Sequence, residues 1–410
     1  MKRTLSLWIV LFLLSMVYAP AALPADPILI GDVSSMSGPF AVAGVPGRQG
    51  AILAAEEINA QGGVLGHPLK LQTRDDKSSP EEGAKAFREL VAEGALVVIG
   101  TAPSHVSAAI NPQARELKVP FFTLLGYSRF LTEDAGHRYF FRLITNDRIF
   151  GHAIAEHLSR QPHTKYCTIG NDFAYGRDIT KVLMTRLKEL KPDVEVIPGC
   201  EFWVPPGTTD FTPTITAILA KRPQAVMFGG VVAVSSPAFV KQAKAFGLFN
   251  TALGVHPSLG MSANNSGLIR KDDIPDNILT GSDYPYPPVD NPANKAFFEA
   301  YRKRWSQQYP FEMSVNAYTN VKLIVQALKK ADKVDREAVI DALEGMSIEH
   351  PTLGNITIRP FDHQSTAGWW IGSLVWDDTL KKPAMKDVRY ERGDRYLPSK
   401  EDVEKLRTRK

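Results

Sequence analysis

Short apolar runs alternate with longer helical patterns along most of this chain, and that alternation leaves few folds open. Runs at 28–33, 69–74, 96–99 and 120–124 are separated by helical stretches at 47–60, 81–93 and 106–117. Strands spaced in this way form right-handed βαβ units and a parallel sheet. A second cycle follows, with runs at 166–169, 194–197, 225–228 and 252–255 and helical stretches at 176–190, 211–221 and 236–246. Two such cycles predict an α/β protein of two similar lobes, each a parallel sheet flanked by helices. The first boundary falls near Thr145, where Phe140-Phe-Arg-Leu-Ile144 ends. Beyond the second cycle, the proline-stiffened segment Tyr284-Pro-Tyr-Pro-Pro288 reads as an extended crossing. Helices are expected at 295–308, 314–330 and 335–344, the second from the helical spacing of Val315, Tyr318, Val321, Ile324, Val325 and Leu328. Strands at 352–359 and 369–376 close the pattern, so the chain returns to the first lobe and then recrosses.

Composition narrows the function. The 410 residues, 44% hydrophobic and 22% charged, suit a globular protein with two domain-sized cores. Lys2 and Arg3 precede an apolar run from Leu5 to Tyr18 and the small residues of Ala19-Pro-Ala21 and Leu23-Pro-Ala25. This reads as a secretory signal over 1–25, cleaved between about Ala21 and Asp26. The run is shorter than the ~20 residues a membrane span needs, and no cysteine follows that could carry a lipid, so a soluble periplasmic protein is expected. The net charge of +4 is unevenly placed: the signal carries two basic residues, the segment 381–410 carries eleven basic against six acidic, and the body between is left at −3. Such a body offers no phosphate-tracking stripe, which disfavours nucleic acid as a partner. The mixed signs of the basic tail read as a solvated extension. Cys167 and Cys200 are the only cysteines. An oxidising compartment favours pairing them, but their stagger on neighbouring strands argues narrowly against a bond.

Eight segments in register then carry a resemblance. They are Ile30-Gly-Asp-Val-Ser-Ser-Met-Ser-Gly-Pro39, Glu56-Glu-Ile-Asn-Ala-Gln-Gly-Gly63, Arg74-Asp-Asp76, Val98-Ile-Gly100, Asn171-Asp-Phe-Ala-Tyr-Gly176, Thr209-Asp-Phe211, Lys241-Gln-Ala243 and Phe361-Asp-His-Gln364. Over about residues 27–380 the chain resembles the type I periplasmic substrate-binding proteins of branched-chain amino-acid-type ABC transporters. The resemblance implies a two-lobed clamshell with three hinge crossings, lobe I at 27–145 plus 283–365 and lobe II at 146–282 plus 366–380. It also implies no catalysis and no cofactor, a monomer, and delivery of a small-molecule ligand to ABC permease and ATPase subunits.

Ligands of open parallel sheets sit beyond the carboxyl ends of the strands. There Gly100-Thr-Ala-Pro-Ser104 leads into a helix, so Ser104 falls near a helix start that favours an anion, or else serves only as a cap. In amino-acid-binding members of the family, the serine matching Ser104 and a threonine one strand later hold the ligand carboxylate. Tyr127 stands in place of that threonine, with Leu125 supplying a carbonyl, and Tyr175 matches a cleft tyrosine of the second lobe. Amino-acid binders carry an acidic residue for the ligand ammonium after the strand that here reads Thr251-Ala-Leu-Gly-Val-His256. His256 is read as its replacement, facing a second acceptor, or as an ordinary loop histidine. Ala43 and Val231 replace two family tyrosines and make the wall more apolar. A buried ammonium without its carboxylate loses several kcal/mol, so the expected ligand is a carboxylate with an apolar or aromatic body.

Enzyme readings fare poorly. Asp75 and Asp76 leave a strand on opposite faces, and His152 and His157 lack the partners of a zinc motif. There is no Gly-x-Ser-x-Gly elbow, phosphate loop or dinucleotide fingerprint. A ligand-sensing subunit for a signalling partner is the alternative of another class, and the export signal and lack of an output domain favour transport.

Overall fold

The computed structural model describes residues 25–259, 267–287 and 289–408. The expected signal lies outside them. The first sheet holds β1 (Ile28–Ser34), β2 (Leu69–Asp75), β3 (Val97–Gly100), β4 (Phe121–Thr123) and β5 (Phe140–Arg142), all parallel, in the order β2-β1-β3-β4-β5. Ile30, Val97, Ile99 and Phe122 are buried on it, as strands covered on both faces require. Helices α1 (Ala41–Ala60), α2 (Pro80–Ala92) and α3 (Ser104–Leu117) connect its strands. Helix α1 begins six residues earlier than its pattern suggests and carries Pro46 inside.

The second sheet contains β6 (Lys165–Asn171), β7 (Glu195–Val204), β8 (Ala225–Gly230), β9 (Leu253–His256) and β10 (Ile278–Ser282), joined through α4 (Asp147–Ser159), α5 (Ala174–Leu190), α6 (Thr212–Lys221) and α7 (Ser235–Ala245). The chain then adds α8 (Pro292–Arg304), α9 (Glu312–Ala331), α10 (Arg336–Leu343) and the hairpin of β11 (Ser347–His350) and β12 (Gly354–Thr357). It returns as β13 (Trp369–Asp377) and β14 (Lys382–Glu391), giving the order β14-β13-β10-β9-β8-β6-β7. The five strands of the βα cycle are parallel, but β13 is antiparallel to both β10 and β14. The expected parallel sheet is present, and the β13–β14 hairpin extends its edge, an addition that needs no crossover helix.

Two expectations are overturned. Cys167 and Cys200 form a disulfide, with Cα atoms 4.9 Å apart. Tyr166 pairs with Val196 but Thr168 pairs with Glu201, so extra residues of β7 are looped out around Gly199, at φ +72°. That irregularity absorbs the stagger and brings Cys200 opposite Cys167. The tail is not a solvated extension either. Its first part is β14, and its last part is α11 (Lys400–Thr408), with Val403 buried. Arg407 donates to the Thr132 and Glu133 carbonyls, and Arg395 pairs with Glu156 at 2.6 Å.

The segments that join the two sheets are tied together by polar groups. Arg142 N–H donates to the His363 carbonyl, Ser365 N–H to the Arg142 carbonyl, and Gln364 Nε2 to the Ile144 carbonyl at 2.7 Å. The fully buried Arg142 guanidinium also donates through Nη1 to the carbonyls of Gly126 and Ser128, each at 2.7 Å. One buried cation therefore fixes both the crossing and the Gly126–Ser128 loop.

Candidate ligand-binding site

A cavity lies between the lobes at the carboxyl ends of the strands, where such sheets place ligands. Its lobe I side comes from three loops. The loop after β1 brings Phe40 and leads into Val42 and Ala43 of α1; the loop after β3 brings Ala102 and Pro103 and leads into Ser104 of α3; the loop after β4 brings Leu125 and Tyr127. The lobe II side comes from Phe173 and Tyr175 after β6, Val232–Val234 after β8, and Ser258 after β9. The Asp75 and Asp76 carboxylates hold the β1 loop, accepting from Met36 N–H at 2.9 Å and from the Ser35 hydroxyl at 2.6 Å. They have this structural task and do not line the cavity.

Ser104 is the first residue of α3 rather than its cap. Val106 and Ser107 N–H return to the Pro103 carbonyl, so the N–H groups of Ser104 and His105 remain without intrahelical partners. The Ser104 hydroxyl oxygen accepts Ser128 N–H at 3.2 Å, which leaves its own proton to donate. This is an anion-favouring corner made of amides, one hydroxyl and a helix dipole.

Tyr127 and Tyr175 meet across the cleft with ring centroids 6.3 Å apart. The Tyr127 hydroxyl, however, donates to Asp283 Oδ2 at 3.3 Å, so its ring is what lines the cavity. The Tyr175 hydroxyl lies 3.4 Å from Ser258 Oγ. Further contacts join the lobes: His105 packs edge-on against Phe173 at 5.5 Å, and the Ser128 hydroxyl donates to Asp178.

Two residues expected in the wall are elsewhere. His256 is fully buried at the end of β9, with Nε2 donating to the Val231 carbonyl at 2.7 Å and Nδ1 accepting Ser258 N–H at 3.1 Å. The chain turns through Pro257, and it is Ser258 that reaches the cavity. Val231 is likewise buried in the lobe II core, and the wall begins one residue later. The structure brings Ser104, Leu125, Tyr127, Tyr175 and Ala43 together and leaves His256 and Val231 behind them. Sequence reasoning missed Ser258, Phe40, Phe173 and Val232–Val234. It also passed over Arg142, whose charge inside the apolar run Phe140–Ile144 was a usable signal.

Buried acids near the hinge are held toward their neutral forms. Asp147 is pushed up to about 8, by burial first and the nearby Asp178 carboxylate second, and its Oδ2 has no hydrogen-bond partner among the described residues. Burial also raises Asp32, Asp76 and Asp283 to about 6, and lowers His137, His152 and His256 to about 4 and His350 to about 3. The raised acids stabilise the fold at low pH and lose that contribution as pH rises through their folded pKa. The depressed histidines act oppositely, costing stability below their ordinary value near 6.5. The two sets oppose each other between about pH 4 and 6, and above pH 6.5 Asp147 acts together with Glu312, which burial also raises well above its ordinary value. Asp147 alone should therefore cost the ligand-free protein roughly 1.5–2 kcal/mol of stability between pH 6.5 and 8. Denaturant titrations of wild type and Asp147→Asn check this: the loss over that range should be smaller by about that amount in the variant, and parallel pH curves would refute the assignment.

Two lobes of wound α/β structure over a shared, largely apolar cleft define a ligand-capturing clamshell. The chain belongs to the family described as "Periplasmic binding protein", whose sequence model matches residues 27–379. It is 27% identical over 345 residues to the leucine-, isoleucine-, valine-, threonine- and alanine-binding protein of Pseudomonas aeruginosa, covering 83% of this chain and 87% of that one. Among solved structures, the branched-chain amino acid transporter substrate-binding protein of Streptococcus pneumoniae with isoleucine is 24% identical, with TM-score 0.76, covering 89% of this chain and 99% of that one. A solute-binding protein of an ABC transporter from R. palustris in complex with benzoate is 18% identical, with TM-score 0.77, covering 89% and 97%. The chain is thus a type I periplasmic binding protein of the branched-chain amino-acid type, a class of substrate-binding components of ABC transporters rather than of enzymes.

Proposed function

We propose that this protein captures a small organic carboxylate with an apolar or aromatic body, closes its lobes over it and presents the closed form to an ABC permease. The observation that carries this reading is the chemistry of the cavity wall: among the described residues it includes no Asp, Glu, Lys, Arg or His. The ammonium of an α-amino acid would be desolvated there without a carboxylate partner, at a cost of several kcal/mol. A carboxylate has the amides and hydroxyl at the start of α3. Phe40, Leu125, Tyr127, Phe173 and Val232–Val234 supply apolar surface for the rest of the ligand.

Charge-assisted hydrogen bonds of about 1.5–3 kcal/mol each, with apolar burial at about 25 cal/mol per Å², support affinity near −8 kcal/mol, or roughly micromolar. The benzoate complex of a protein of the same fold supports a ligand of this kind. A second reading, a branched-chain amino acid, is favoured by the binding role named for the P. aeruginosa relative. Ligand binding on lobe I through Ser104 and the Leu125–Tyr127 loop, followed by closure of Tyr175 and Ser258 from lobe II, gives the ligand its differential affinity for the closed form.

Ser104→Ala tests the anchor. It should raise the benzoate Kd roughly fivefold to a hundredfold, the equivalent of about 1–3 kcal/mol, measured by calorimetric titration. Unchanged affinity would remove Ser104 from the site.

A further inference from the structure

His256 does not touch the cavity, yet it connects two loops that do. Its Nδ1 accepts the N–H of Ser258, and its Nε2–H donates to the Val231 carbonyl. A donor on one side and an acceptor on the other fix a single neutral tautomer. The ring is fully buried and packs edge-on against Phe228, with centroids 4.9 Å apart. The residues that follow Val231 are the wall segment Val232–Val234, while Ser258 is the wall contribution of the next loop.

The Val231–Val234 loop has two other anchors. Ser236 Oγ donates to the same Val231 carbonyl, and Val232 N–H donates to Asn171 Oδ1 at 3.0 Å. Ser236 lies on α7, just beyond the loop, and Asn171 ends β6, so neither anchor reaches the β9 loop. The imidazole does. We infer that His256 is a positioning residue that fixes the separation between Val232–Val234 and Ser258, and so sets the ring size on which lobe II closes. The inference goes beyond the proposed function and takes from it only that the cleft binds a ligand.

The test uses the full mature chain with His256→Gln and His256→Asn. Ile215→Ala serves as control because it opens the same lobe II core from helix α6 and removes no hydrogen bond to either loop. Hydrogen exchange of ligand-free protein should rise at least tenfold for the amides of 231–234 and 258 in the His256 variants, while the Gly100–Ser104 loop of lobe I stays unchanged. The ratio of Kd values for 2-naphthoate and benzoate should shift at least threefold in the His256 variants and hold in Ile215→Ala. Matching behaviour of His256→Gln and Ile215→Ala would overturn the inference. Should neither carboxylate bind wild type, the proposed function falls while hydrogen exchange still decides the role of His256. If both His256 variants fail to fold, nitrogen NMR of the wild-type imidazole decides: a neutral Nε2–H ring unchanged by ligand supports positioning, and a ligand-induced change of either nitrogen's protonation contradicts it.

Discussion

Ser258→Glu should raise the benzoate Kd by a hundredfold or more, and should bring leucine-type amino acids into measurable binding. Ser258 is buried, on the lobe II side of the cavity, in the loop after His256 where the family resemblance implies an acid in amino-acid binders. A glutamate there would set a carboxylate against the carboxylate of the proposed ligand. Two like charges a few ångströms apart at an effective dielectric near 20 cost about 3–4 kcal/mol, which corresponds to a factor of hundreds in affinity. The same carboxylate would supply the partner that an α-ammonium lacks in wild type. Parallel titrations with benzoate and leucine check both halves. A variant that holds benzoate as well as wild type does would show that the ligand carboxylate lies elsewhere.

Gly50→Ala should destabilise the protein by about 3 kcal/mol, with the melting temperature falling by roughly 6–12 °C for a lobe of this size. Helix α1 packs against α9 through its glycines, and a Cβ at Gly50 would stand 1.9 Å from the Ser314 carbonyl oxygen. The obstacle is backbone at the start of a long helix, so it cannot swing aside, and the better helix propensity of alanine, up to about 1 kcal/mol, offsets only part of the cost. Gly47→Ala is the informative comparison. Its Cβ would meet the flexible Met313 side chain, at 2.7 Å from Cγ, and a rotamer change can relieve that contact. Calorimetric scans of the two variants should therefore differ clearly, and equal losses would mean that the two helices do not pack through Gly50 as described. Because α1 also carries Val42 and Ala43, a shifted helix would weaken ligand binding as well.

The wound architecture was legible because its information is local. Strand runs and helical periods of the right lengths dictate βαβ units, and a ligand cleft then follows at the strand ends. That logic reached Ser104, and the family resemblance supplied Leu125, Tyr127, Tyr175 and Ala43, each on a loop leaving a strand or in the first turn of a helix. It failed where one or two residues decide which way a side chain points. His256 is the last residue of β9 and turns inward, whereas Ser258, past Pro257, faces the cavity. After β8 the turn continues through Ala233 at φ +53°, which brings the wall to Val232–Val234 instead of Val231.

Non-local pairing was harder still to foresee. The disulfide depends on an irregularity in β7 that local patterning does not announce. The tail is fixed by the β13–β14 hairpin and by Arg407 reaching the carbonyls of Thr132 and Glu133, 275 and 274 residues away. The mixed charges that suggested a solvated extension are in part ion pairs on a folded surface, as between Arg395 and Glu156.

The most direct test of a cleft that accepts a carboxylate and refuses an ammonium is calorimetric titration of the purified wild-type protein, under one set of conditions, with benzoate and with leucine. Benzoate should bind in the micromolar range, with leucine at least a hundredfold weaker. Leucine binding tighter than benzoate would contradict the account.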